Sequence, residues 1–188
     1  MKDIQTFAGF YKETFDFLKS LSKNNKKWFE AHRYEYEKYL LEPLRNLVIE
    51  LGPFMQSIDP EFETAPKTNK TISRIYRDTR FSHNKTPFKT VMWIVFKRPV
   101  KIWQDDPGYF FEISPTLYRY GMGFYSASAC TMKSFREMID KNPKEFLDAI
   151  SFYHKQKMFG LEGDKYNRQI VNNHPEKIQD CYQRNNLF

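Results

Sequence analysis

Apolar residues in the first third of the chain recur at three- and four-residue spacing. Phe7, Phe10, Tyr11, Phe15, Leu18 and Leu21 mark one amphipathic helix, which "SKNNKK" ends. Asn24 or Asn25 can cap a second helical stretch opening on Trp28 and Phe29. Leu40, Leu44, Leu47, Val48 and Leu51 carry a stripe as far as Gly52-Pro53. Pro43 falls inside that stripe. It must kink the helix or sit in the first turn of a new one, because it donates no backbone hydrogen bond.

The texture changes after the proline-rich "GPFMQSIDPEFETAPKTNK". "VMWIVF" (91–96) has the length and composition of a buried strand, "GYFFEIS" alternates, and "TLYRYGMGFYS" supplies one or two more strands. The Gly121-x-Gly123 pair has no helix behind it, so it predicts a bulge or a close strand approach rather than a phosphate loop. Helical spacing returns after Thr131, with Met132, Phe135, Met138 and Ile139 on one face. Asn142-Pro143-Lys144-Glu145 is a helix start, with Phe146, Ile150 and Tyr153 as its buried stripe. "GLEGDKYNRQIVNNH" reads as a loop, and Pro175 to Tyr182 as a short final helix. Helices, then strands, then helices predict an α+β fold. Its mainly antiparallel sheet spans about residues 91–126 and packs against the N- and C-terminal helices.

A chain of 188 residues is most simply one domain, 1–188. With 40% hydrophobic and 28% charged residues it belongs with globular rather than disordered proteins. The longest apolar run is strand length, far short of the roughly 18 residues of a membrane span, so no membrane partner is expected. Residues 1–17 include acids and no signal-type apolar core. Cys130 and Cys181 stand apart from each other and from any ligand spacing. Free thiols and a cytoplasmic location are therefore expected.

Charge changes the picture more. The net +7 is concentrated between Lys70 and Lys101, where nine basic residues face one acid, Asp78, and the remainder of the chain sums to −1. A concentrated patch implies an anionic partner, either a phosphate-bearing small molecule or a nucleic acid. At its centre lies "SRIYRDTRFSHNKTPFK" (73–89). A helix would put Arg74, Arg77 and Arg80 on one face. An extended chain would put Arg74, Asp78 and Arg80 together instead. Either way a carboxylate sits among guanidinium groups.

Arg74, Arg77, Asp78, Arg80, Phe81, Asn84, Lys85, Pro87, Phe88 and Lys89 match the signature R-x-x-R-D-x-R-F-x-x-[DN]-K-x-P-[YF]-K. This resembles a bacterial family known as domain of unknown function 2461. "FLKSLSKNNKKWFEAHR" and "GYFFEISP…YGMGFY" are similar to that family too, so the likeness runs from about Phe15 to Gly163. The resemblance implies kinship but no activity to carry over. It also implies a continuation after "LEGD" longer than this chain has, which makes a shortened C-terminus an expectation.

Three readings of the cluster stand side by side. In the first, Arg74, Arg77, Arg80, Lys85 and Lys89 bind an anion while Asp78 orients the arginines. In the second, an enzyme of hydrolase or phosphoryl-transfer type holds an anionic substrate there. His83 is then its acid/base group, because it titrates near neutrality. Asp78 is the weaker catalytic candidate, since neighbouring arginines favour its charged form. In the third, the cluster is a structural salt-bridge network of an interaction protein. Trp28, Phe29, Tyr76, Phe81, Phe88, Trp93 and Trp103 are candidate stacking surfaces. The four histidines are widely spaced and no nucleotide or hydrolase fingerprint occurs, so neither a metal nor a cofactor is implied.

Overall fold

The computed structural model describes residues 6–81, 83, 85–100, 103–124, 126–168, 170 and 173–188. They form two compact units. One comprises the chain up to Pro99 with Tyr109–Tyr120, the other Val100–Gly108 with Gly121–Phe188. The architecture is α+β, with a three-stranded antiparallel sheet and helices before and after it in sequence.

The first unit opens on α1 (Lys12–Leu21), shorter than the apolar spacing predicts. Gly9 has φ +94, a left-handed conformation that a right-handed helix cannot run through. Phe7 and Phe10 therefore lie before the helix, and Phe10 stacks on Phe111 at 5.4 Å. Asn25 caps α2 (Lys26–Ala31) by accepting from the Trp28 N–H. A one-turn α3 (Arg33–Glu35) leads into a π-helical segment, Tyr36–Leu41, and then α4 (Glu42–Ile58). Pro43 sits in the first turn of α4. It offers no N–H to the carbonyl of Tyr39, one turn back, and the buried Thr14 hydroxyl donates to that oxygen at 2.5 Å.

Contrary to the expected stop at Gly52-Pro53, α4 continues through Pro53 to Ile58. The lost hydrogen bond is outweighed by packing, since Leu51 and Met55 both rest against the core and a helix delivers both. That core joins Leu18, Leu21, Leu40, Leu44 and Val48 to Ile72, Met92, Ile94 and Ile113.

Strand β1 (Met92–Phe96) pairs antiparallel with β2 (Gly108–Ile113), from Met92 opposite Ile113 to Phe96 opposite Tyr109. On its other side an extended segment runs antiparallel to it. Ser73 N–H donates to the Trp93 carbonyl and Val95 N–H to that of Thr71, both at 2.9 Å. Flanked on both edges, β1 buries every second side chain completely or nearly so. Strand β3 (Tyr118–Gly123) neighbours β2 and is the most exposed of the three. Tyr125, expected near its end, lies outside the described residues.

In the second unit α5 (Ala129–Lys141) starts earlier than Thr131 because Ser128 caps it. Its inner face is Met132, Phe135 and Ile139, while Met138, expected among them, is half exposed. The helix expected to carry Phe146, Ile150 and Tyr153 as a buried stripe is divided at Ile150 into α6 (Pro143–Ala149) and α7 (Ser151–Lys155), and the three side chains are only half-buried. Helix α8 (Glu176–Tyr182) contributes Ile178, Cys181 and Tyr182 to the interior. Cys130 is exposed and Cys181 buried, and both are free thiols.

Candidate functional site

The motif is extended, not helical. Burial from Ser73 to Arg80 alternates strictly. Arg74, Tyr76, Asp78 and Arg80 face outward, while Ser73, Ile75, Arg77 and Thr79 are buried or half-buried. Beyond β1 the segment pairs with residues 87–89. Arg77 N–H donates to the Pro87 carbonyl at 2.9 Å, Lys89 N–H donates to that of Ile75 at 2.8 Å, and Tyr76 bridges Phe88. Residues 78–81, 83, 85 and 86 lie between the two paired segments of this arm. Ile75 and Phe88 are buried, and Phe88 lies 4.7 Å from the Phe29 ring. The arm is thereby fixed to the hydrophobic core.

Of the outward set, Asp78 and Arg80 pair with each other. Asp78 takes a fork of hydrogen bonds from Arg80, Nε to Oδ1 at 3.0 Å and Nη2 to Oδ2 at 2.6 Å, and a third from the Arg80 backbone N–H at 3.2 Å. These bonds hold its carboxyl well below the usual carboxylate range, with Arg74 adding a smaller attraction. Both partners are solvent-accessible, so the fork shapes the loop more than it stabilises the fold. Replacing Asp78 by asparagine should therefore leave the thermal midpoint near the parent's, and calorimetry checks it. Arg80 also lies over the exposed Phe81 ring, and Lys85 Nζ donates to the Thr79 carbonyl at 2.9 Å. His83 is exposed.

Of the inward set, Arg77 lines a cavity of about 360 Å³, together with Ser22, Thr86, Phe88, Lys89, Thr90, Val91 and Trp93. Arg77 Nη1 donates to Thr86 Oγ1 at 3.0 Å, which aims the guanidinium and leaves its other donors for a ligand. Lys89 Nζ lies 4.0 Å from the centroid of the Trp93 ring. Burial, and secondarily the Arg74 cation, push the Lys89 amine below the ordinary lysine range. No lining residue is acidic.

Of the seven residues singled out in sequence, Arg77 and Lys89 line this cavity, whereas Arg74, Asp78, Arg80, His83 and Lys85 do not. Trp93 and Phe88, candidates for stacking, are in its wall. Trp28 instead stacks on His32 at 4.1 Å, and Phe29 is core. Asn84, Lys101 and the Trp103 side chain lie outside the described residues. Thr86 and Thr90 escaped notice although both stand inside "KTPFKT". Ser22, which closes α1, carried no local signal at all. Among the described residues no three His, Cys, Asp or Glu groups converge as a metal site, and no helix is long and apolar enough to cross a membrane.

A family model described as conserved hypothetical protein (DUF2461) matches residues 13–188, which include the whole motif and every residue lining the cavity. The chain belongs to this family. No curated protein and no solved structure matches it. For this member of DUF2461 the chemistry must come from the site itself. A half-buried guanidinium, a half-buried amine, hydroxyl-bearing residues and one indole line the cavity.

Proposed function

We propose that this DUF2461 protein binds a small phosphate-bearing ligand in the Arg77–Lys89 cavity. The observation that carries the reading is the pair of cations lining one concavity with no acid among its lining residues. A volume of about 360 Å³ falls within the roughly 300–1,000 Å³ of small-molecule sites. The Arg77 fork, preset by Thr86, matches two phosphate oxygens, and the Thr90 hydroxyl is a further polar group in the lining. An anion also returns to Lys89 the charge stabilisation that burial removes. A small ligand is favoured over nucleic acid because the outward cations Arg80 and Lys85 are engaged by Asp78 and the Thr79 carbonyl.

Titration calorimetry with inorganic phosphate and with simple phosphate monoesters tests this. Removal of a charged hydrogen-bonding partner costs on the order of 1.5–3 kcal/mol, so Arg77→Ala should weaken binding about ten- to a hundredfold. Arg80→Ala should leave it unchanged. Equal losses from both substitutions, or no binding by the parent, would refute the assignment. Binding to single-stranded oligonucleotide with a steep salt dependence would transfer it to nucleic acid.

A further inference from the structure

We propose that Lys89 is a reactive amine, which forms a Schiff base with the carbonyl of an anionic aldehyde or ketone whose phosphate or carboxylate is held by Arg77. The inference rests on the anion-binding reading of the same cavity and adds a covalent step to it. Across the Tyr76–Phe88 bridge, Arg77 stands opposite Pro87, and Lys89 is two residues further along that strand. The two are diagonal neighbours on one face, roughly 7–8 Å apart at the backbone. One short ligand can span that interval with its acid at the guanidinium and its carbonyl at the amine.

The surroundings of Lys89 suit a nucleophile. Among the described residues no carboxylate contributes to the state of its amine, which burial and the Arg74 cation both bias towards the neutral form. Desolvation and a nearby cation are the two recognised ways of activating a lysine. The Trp93 face attracts the ammonium and so opposes them, while fixing Nζ at the cavity wall. The contrast with Lys85 is direct, because that lysine is exposed and donates to a carbonyl.

The step balances without an oxidant or a reductant. The lone pair of neutral Nζ attacks the carbonyl carbon, and the oxygen takes a proton to give a carbinolamine. The hydroxyl then leaves with the second amine proton as water, forming the C=N bond.

The test uses the full chain with glyoxylate, an anionic aldehyde, and propanal, a neutral one, each with cyanoborohydride to reduce the imine. Peptide mapping follows Lys89 against Lys85. Glyoxylate should modify Lys89 at least about tenfold faster than Lys85. Inorganic phosphate should protect Lys89, and Arg77→Ala should abolish its preference for glyoxylate over propanal. Lys89→Arg should lose the adduct. If phosphate binds but Lys89 reacts no faster than Lys85, the covalent step is overturned alone. If neither phosphate nor glyoxylate engages the cavity, the anion site is overturned with it.

Discussion

A Gly123→Ala protein should lose the docking of its own C-terminus. An alanine Cβ at position 123 would lie well inside van der Waals distance of the Leu187 carbonyl oxygen and 2.6 Å from Cα of Phe188. Both obstacles are backbone, so no rotamer change relieves them. The approach is close because the Phe124 N–H donates to the Leu187 carbonyl at 2.6 Å, and the Glu162 N–H donates to that of Phe188 at 2.8 Å. The same terminal stretch carries Arg184, whose buried guanidinium donates to the carbonyls of Gly163 and Leu161 and to Asp180. Overpacking of side chains typically costs about 1–3 kcal/mol, and a clash with backbone belongs at or above the top of that range. We expect a loss of about 3 kcal/mol or more, concentrated in the second unit. Hydrogen exchange should show the amides of Phe124, Glu162 and Phe188 losing protection while those of β1 keep theirs. Gly160→Ala, where a Cβ meets nothing within 4 Å, is the control and should change little. A Gly123→Ala protein with parental protection at these three amides would refute the account.

Gly123 also marks where the sequence speaks clearly. A glycine pair in a strand with no helix behind it signals close backbone approach, and the approaching segment lies more than sixty residues further along the chain. The strand "VMWIVF" was equally legible, because an uninterrupted apolar run of that length needs a partner on each side. The cluster at 73–89 was legible as a concentration of charge but not in its division. Whether Arg77 sides with Lys89 or with Asp78 depends on the backbone period, and three arginines at three-residue spacing fit a helix as readily as a strand. What decides for the extended form is non-local, namely the pairing with Trp93 and Pro87 and the burial of Ile75 and Phe88. Ser22 could not be found at all, since a serine after a helix means nothing until the helix is placed beside the arm. The run of α4 through Pro53 was hidden for the same reason, since packing against the core outside its own segment settles it.

The aromatic cluster that carries the arm supports a second large effect, read through pH. Tyr36 is buried in the π-helical segment, with its ring centroid 5.3 Å from Phe29, which in turn meets Phe88 in the cavity wall at 4.7 Å. Burial, with a smaller push from Glu37, raises its phenol from 10.0 to about 12, against the opposing pull of Arg45 and Arg33. In the unfolded chain the phenol ionises at its ordinary value near 10. Below that pH both states keep the proton and the full contribution of Tyr36 to stability is present. From about pH 10 upward the unfolded state gains by releasing a proton that the folded state retains, so stability falls until the folded phenol also ionises near pH 12. Two pH units at about 1.4 kcal/mol each give a loss of roughly 3 kcal/mol across that window. Other tyrosines and lysines titrate there too, so the measurement is the difference between the parent and Tyr36→Phe in urea unfolding from about pH 9 to 12. The parent should lose its margin over the variant by that amount. A difference between the two proteins that stays constant with pH would show that Tyr36 ionises as an exposed phenol does.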